Sequence, residues 1–268
     1  MFDYGKRTYI MGILNVTPDS FSDGGNFNKI DVAIKHARKM IDDGADIIDI
    51  GGESTRPGHK YPGHKYVEAD EEIERVIPVI KELKKEINVP ISVDTYKASV
   101  AEEALKLGVE MINDVWGLKR DKDMAKTIAK YDAHVCIMHN QDGTHYDKDI
   151  MESMKESLKE SIDMALEAGV KNEKIVLDPG IGFGKTFEQN LEVLRRLNEL
   201  NDLGYPVLLG TSRKSVIGNV LNVEPKERLE GTIATTVLGV RDGVDIVRVH
   251  DVKENLKAAK MADAIYRK

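Results

Sequence analysis

Short apolar runs that end abruptly in a polar residue alternate along this chain with longer stretches of helical spacing. The runs are Tyr9 to Leu14, Ile47 to Ile50, Ile91 to Val93, Glu110 to Ile112, His134 to Met138, Ile175 to Leu177, Val207 to Leu209 and Asp245 to Val249. Between them, Asp70 to Ile87 places Ile73, Val76, Ile77, Ile80 and Leu83 on one helical face. Met151 to Ala168 does the same with Met151, Met154, Leu158, Ile162 and Ala165. Gly44, Gly108, Gly169, Gly204 and Gly243 each close a helical stretch just before a run, where a left-handed cap residue is wanted. Runs that are apolar throughout read as strands covered on both faces, and helical connections make such strands parallel with right-handed crossovers. Eight units in this length predict an α/β fold, a closed (β/α)8 TIM barrel forming a single domain over residues 1–268, with long loops after strands 1 and 2. The doubled GHKY at Gly58 to Tyr61 and Gly63 to Tyr66 is a loop feature, too brief for an architectural repeat.

Composition narrows the class. With 41% hydrophobic residues the chain can fill a core, and with 32% charged residues it has no apolar run long enough to span a membrane. The balance of 39 basic against 46 acidic residues, net −7, repels polyanions, and no segment supplies the basic face that nucleic-acid binding needs. An anionic small substrate would need a local positive pocket instead. The start, MFDYGKRTYIMGILNV, lacks a signal-peptide pattern and the lone Cys136 cannot form an internal disulfide, so a cytoplasmic location is expected.

Barrel active sites form at the carboxyl ends of the strands, so the first polar residues after each run are the candidates. They are Asn15, Gly51 with Glu53, Asp94, Asn113 with Asp114, His139, Asp178, Ser212 with Arg213 and Lys214, and His250 after Arg248. Carboxylates and amides suit a flat heterocycle, whereas Arg, Lys and His favour an anion, which suggests one ligand with a polar ring and a phosphate-like tail. Any one of these residues could instead be a helix cap, Asp94 and Ser212 among them. Two motifs fail on inspection. DPGIGFGKT, Asp178 to Thr186, has Pro179 where a P-loop requires its first glycine, and GTSRK, Gly210 to Lys214, lacks the second glycine of a nucleophile elbow. One Cys, with His59 and His64 in a loop, makes no zinc site, and Cys136 and Trp116 read as packing residues.

GILNVTPDSFSDGG, Gly12 to Gly25, closely resembles the first signature of the dihydropteroate synthases, enzymes of the folate pathway. DIGGESTRPG at Asp49 to Gly58 resembles the second loop of that family, and SVDTYK, INDVWG, MHN, LDPGIGF, GTSRKS and RVHDV follow in its order, from Ile10 to Val252. The resemblance implies condensation of 6-hydroxymethyl-7,8-dihydropterin diphosphate with 4-aminobenzoate to 7,8-dihydropteroate and pyrophosphate. The same resemblance implies a transferase of the class that sulfonamides target, leaving the chain's own susceptibility open.

By the same resemblance Asp178, Asn113 and Asp94 hydrogen-bond the pterin ring, Lys214 reaches its carbonyl side, and Arg248 and Met138 pack over its faces. Asn15, Arg56, Arg248 and His250 are implied at the diphosphate, with Mg²⁺ taking ligands from Asn15 and Asp23. Phe21, Thr55, Pro57, Phe183 and Ser215 are implied at the aminobenzoate, Phe183 also bordering the pterin. Arg56, Lys214, Arg248 and Asp94 are the implied catalytic set, in a dissociative substitution assisted by the metal. A homodimer is implied as well, and Glu227 to Gly239 could supply its surface or simply pack.

Gly58 to Ala69 departs from the family pattern, being longer and more basic, and is expected to lengthen the second loop without touching its chemistry. Rival readings are a methyltetrahydrofolate to corrinoid methyltransferase, which needs neither long loop, and a silent pterin-binding paralogue, which would have lost a site residue.

Overall fold

In the computed structural model, residues 2–17, 26–53 and 66–267 are described. Eight strands alternate with helices: β1 (Tyr9–Asn15), α1 (Asn26–Asp42), β2 (Ile47–Gly51), α2 (Ala69–Glu86), β3 (Ile91–Asp94), α3 (Ala98–Lys106), β4 (Met111–Asp114), α4 (Met124–Lys130), β5 (His134–Met138), α5 (Ile150–Glu167), β6 (Ile175–Asp178), α6 (Phe187–Arg195), β7 (Leu208–Leu209), α7 (Ser215–Leu221), α8 (Leu229–Arg241), β8 (Ile246–Val249) and α9 (Val252–Tyr266). All strands join one parallel sheet in the order β6-β5-β4-β3-β2-β1-β8-β7, and a single bridge, Leu177 to Val207, closes β6 onto β7. This is the (β/α)8 barrel that the alternation predicts.

Side-chain alternation divides the strands between two cores. Tyr9, Met11, Ile47, Met111, Cys136, Val176, Leu208 and Ile246 fill the barrel interior, with Phe2 and Tyr4 packed against its lower end. Ile10, Leu14, Ile48, Ile50, Val93, Ile112, Val135, Ile137, Leu177 and Val247 face outward and are covered by the helices. Cys136 is buried here as a packing residue.

Boundaries shift where hydropathy and backbone pairing part company. Asn15, Gly51, Asp94 and Asp178 extend their strands because ladder hydrogen bonds ignore side-chain polarity. Glu110 and Asp245 drop out of the predicted runs. Glu110 turns its carboxylate to the Ile91 amide at 2.9 Å and Lys84 at 2.6 Å, and Asp245 accepts from the Gly5 and Val207 amides at 2.9 and 3.2 Å. The five predicted cap glycines all have left-handed φ, but Gly204 ends a 3-10 segment, Leu197–Leu203, rather than an α-helix. Two helices follow β7, because Asn222 at φ 55° ends α7 and Pro225 opens a 3-10 turn before α8.

Candidate active site

Two residues above the interior layer on β2 to β6 and β8, where Ser92 stands for β3, the same alternation places a second inward-facing position. Ile47, Ser92, Met111, Cys136, Val176 and Ile246 are followed in this way by Asp49, Asp94, Asn113, Met138, Asp178 and Arg248. All except Arg248 are buried. On β7 the corresponding residue is Gly210, which contributes no side chain. A Cβ there would lie 3.8 Å from Lys214 Nζ and 3.9 Å from both Arg248 Cβ and Asp178 Oδ2. These groups therefore surround one space at the carboxyl end of the barrel.

Arg248 organises one side of that space. Its Nε donates to Asp49 Oδ2 at 2.6 Å and its Nη2 to Asp94 Oδ2 at 2.8 Å, while Asn113 Nδ2 approaches Asp49 Oδ2 at 3.4 Å. Burial weighs against the guanidinium charge, but the two carboxylates outweigh burial and keep Arg248 cationic. Burial likewise pushes the Asp94 carboxyl upward, against the pull of Arg248 and with the push of Asp49. Three buried oxygens, Asp49 Oδ1, Asp94 Oδ1 and Asn113 Oδ1, have no donor among the described residues. Unsatisfied buried acceptors are costly, each on the order of 1–3 kcal/mol, and a cluster of them marks a place for a ligand rich in N–H groups.

Asp178, Lys214 and the loop after β6 form the other side. Asp178 Oδ1 accepts from the Gly180 amide at 2.7 Å, and burial raises its carboxyl while Lys214 opposes the rise. Lys214 Nζ donates to the Ile181 carbonyl at 2.6 Å and lies 4.8 Å from the centre of the Phe183 ring. Burial and the charge of Arg248 draw the Lys214 ammonium down to about 8 even with Asp178 nearby. Met138 pairs with Asp178 in the β5–β6 ladder, which puts its thioether beside the same space. The loop ends in a capping box, with the Thr186 hydroxyl accepting from the Gln189 amide at 3.2 Å and the Gln189 side chain accepting from the Thr186 amide at 2.7 Å.

At the rim, Ser212 Oγ and His250 Nδ1 lie 3.0 Å apart and the His250 amide donates to the same hydroxyl at 3.1 Å. This suits hydroxyl donation to Nδ1, with the ring proton on Nε2. Arg213 has a left-handed φ of 57° in the turn between Ser212 and Lys214, and its fork pairing with Asp251, at 3.0 and 2.6 Å, offsets that strain. Ser215 is the first residue of α7 and half-buried, and Asn15 is exposed at the end of β1.

Asn15 offers a single neutral oxygen, the kind of ligand Mg²⁺ keeps alongside waters and phosphate oxygens. Among the described residues no group of three His, Cys, Asp or Glu could hold a metal by itself. Phe21, Asp23, Thr55, Arg56 and Pro57, with His59 and His64, lie outside the described residues.

Some strand-end candidates serve the scaffold instead. Asp114 accepts from the Trp116 and Leu118 amides, both at 2.8 Å, and is a turn residue whose carboxyl burial raises to about 6. Glu53 and Glu72 share the buried Lys97 ammonium. Trp116 packs under the Arg120 guanidinium, 3.8 Å from its ring centre. Asp94 caps no helix, since its carboxylate is turned to Arg248. Conversely, Asp49 was hidden inside an apolar run, IIDIG, and Lys185 inside the failed P-loop motif. A carboxylate flanked by isoleucines was the signal that could have exposed the first.

Comparison with known proteins agrees with this geometry. The family model described as pterin binding enzyme matches residues 11–250. A dihydropteroate synthase from Clostridium beijerinckii is 60% identical over 268 residues, covering 100% of this chain and 97% of that relative. The crystal structure of dihydropteroate synthase from Clostridium difficile in the presence of pteroic acid superposes with a TM-score of 0.97 at 78% identity, covering all of both chains. The Xanthomonas albilineans enzyme with 4-aminobenzoic acid gives 0.90 at 39% identity, covering 97% of this chain and 93% of that one. The fold, the clustered polar layer and these likenesses together establish that the chain belongs to the pterin-binding enzymes, as a transferase of the dihydropteroate synthase family.

Proposed function

We propose that this barrel joins 6-hydroxymethyl-7,8-dihydropterin diphosphate to 4-aminobenzoate, releasing pyrophosphate and 7,8-dihydropteroate, in folate synthesis. The observation that carries this reading is the trio of donorless buried oxygens on Asp49, Asp94 and Asn113 beside the cations Arg248 and Lys214. Pterin N–H groups would satisfy such acceptors, and the cations suit the anionic tail. Solved relatives, one in the presence of pteroic acid and one with 4-aminobenzoic acid, support it.

In this reading Asp178 takes the amino edge of the pterin, Asn113 and Asp94 the ring nitrogens, and Lys214 the carbonyl side. Met138 and the Arg248 guanidinium cover the ring faces. Asn15, Arg56, Arg248 and His250 receive the diphosphate, while Phe21, Thr55, Pro57, Phe183 and Ser215 surround the aminobenzoate. The bond between the pterin methylene carbon and the diphosphate oxygen breaks with its electron pair leaving on the diphosphate. The neutral arylamine nitrogen then forms the new bond to that carbon and gives up a proton to solvent. The substitution is dissociative, with the pterin ring nitrogen sharing its lone pair with the methylene cation. Arg248, Arg56 and His250 stabilise the departing charge. Asn15 and Asp23 would hold magnesium, which would supply further neutralisation of the phosphate charge. The same reading includes a homodimer, supported by the exposed Val220, Leu221 and Leu238 on α7 and α8, and a cytoplasmic location, supported by the lone buried cysteine.

The test is an assay with purified protein, Mg²⁺ and both substrates that follows pyrophosphate and dihydropteroate together. Equal amounts of both, abolished in Asp178→Ala and Arg248→Ala, are expected, and Arg56→Ala should slow turnover by an order of magnitude while sparing pterin diphosphate binding. Pterin binding without product would overturn the synthase reading in favour of a silent paralogue. Rapid-quench kinetics with no bond cleavage until the amine attacks would overturn the dissociative order.

A further inference from the structure

The lysine of the failed P-loop motif forms no ion pair with a carboxylate among the described residues and has no place in the chemistry above, yet it is buried. Lys185 Nζ donates to the Gly180 and Phe183 carbonyls, both at 3.1 Å, and lies 3.0 Å from His139 Nδ1. Its three N–H bonds thus have three acceptors. His139 follows the end of β5 and is buried, and burial together with the Lys185 charge holds its imidazole neutral, with a pKa of about 2, so Nδ1 is available as an acceptor. One ammonium therefore ties both ends of the turn from Gly180 to Phe183 to a neighbouring strand.

What that turn presents matters for the site. Ile181 offers its carbonyl to Lys214, and Phe183 places its ring under the same ammonium. Both contacts belong to a loop segment containing Gly180 and Gly182 at left-handed φ, of 66° and 89°, which has little intrinsic preference for one conformation. The pterin acceptors Asp94, Asn113 and Asp178 instead sit on strands held by the barrel ladder.

We propose that Lys185 is a positioning residue for the arylamine half of the site: its tripod to Gly180, Phe183 and His139 sets the Phe183 wall and the Lys214 ammonium before the arylamine arrives. This rests on the synthase reading for the identity of the ligand. The tripod needs the ammonium form, because a neutral amine would turn its lone pair toward one of three acceptors. The charged and titratable groups around it are His139 at the end of β5, Asp178 at the end of β6 and Lys214 at the start of α7, and burial with the Lys214 charge brings Lys185 down to about 7.

Calorimetric binding of two probes tests the proposal without turnover: pteroic acid, which carries both halves, and 6-hydroxymethylpterin, which carries only the ring. In Lys185→Met the pteroic acid affinity should fall roughly tenfold, while pterin affinity, carried mainly by the strand-borne Asp94, Asn113 and Asp178 with Lys214 as one further contact, should fall by no more than about threefold. Wild-type pteroic acid binding is expected to weaken between about pH 6 and about pH 9, and the variant, which keeps only the Lys214 ammonium titrating there, should weaken less over that range. His139→Leu, which removes one acceptor and keeps the lysine, should produce the same split in weaker form, and it carries the test if Lys185→Met does not fold. Unchanged pteroic acid binding, or equal loss for both probes, overturns the proposal. A wild type that binds neither probe would instead refute the pterin-site reading itself.

Discussion

His139 shows what burial does to a single side chain. Its pKa is lowered from 6.5 to about 2, first by loss of water and then by the Lys185 and Lys119 charges. The native imidazole stays neutral where the unfolded one takes a proton, so its contribution to stability is fully present above about pH 6.5 and is lost as pH falls toward 2. The stability advantage of wild type over His139→Gln should therefore shrink by about 1 kcal/mol between roughly pH 7.5 and 5.5, measured by urea unfolding. A constant difference across that range would mean that the native ring takes up its proton over the same pH range as the unfolded one. The residue was visible in the sequence as the polar end of a run, but its role was not, because the lysine it faces lies 46 positions away.

At the scale of the element, strand alternation was the strongest signal in the chain and was used only in part. Choosing the first polar residue after each run found Asp94, Asn113 and Asp178, yet it also took Asp114, which faces the opposite side of β4 and holds a turn. Counting in twos from the interior residues selects Asp49 and Arg248 and rejects Asp114. The loop after β6 resisted such reasoning, since its form depends on close approach of backbone to backbone. A Cβ on Gly180 would stand 2.0 Å from the His139 carbonyl oxygen, whereas one on Gly182 would meet nothing nearer than Lys214 Cδ at 3.4 Å. Both glycines have left-handed φ, so Ala at either costs about 1–2 kcal/mol. Gly180→Ala should lose clearly more stability than Gly182→Ala and displace the Phe183 ring, which unfolding midpoints and pteroic acid binding would record. Equal losses would mean that the loop moves away from β5 without penalty.

For the whole molecule, the alternation of runs and helical faces was enough to read the topology, because eight parallel strands with helical crossovers leave few arrangements. It could not show how unevenly the staves are joined. Seven neighbouring pairs share ladders, while β6 and β7 meet at one bridge, Leu177 to Val207, which includes the bond from the Leu177 amide to the Pro206 carbonyl. The site straddles that gap, with Asp178 ending β6 and Gly210 and Lys214 following β7. A pterin that engages Asp178 and Lys214 together would act as a rivet across the least fastened joint of the barrel. Amide hydrogen exchange should then be faster along β7 than along β1 and β2 in the free protein, and pterin binding should slow it chiefly on the two sides of the joint. Protection spread evenly around the barrel would show that the closure needs no ligand to hold it. Occupancy of the site would then fasten the weakest joint of the barrel, and substrate supply would set how often that joint opens to a protease.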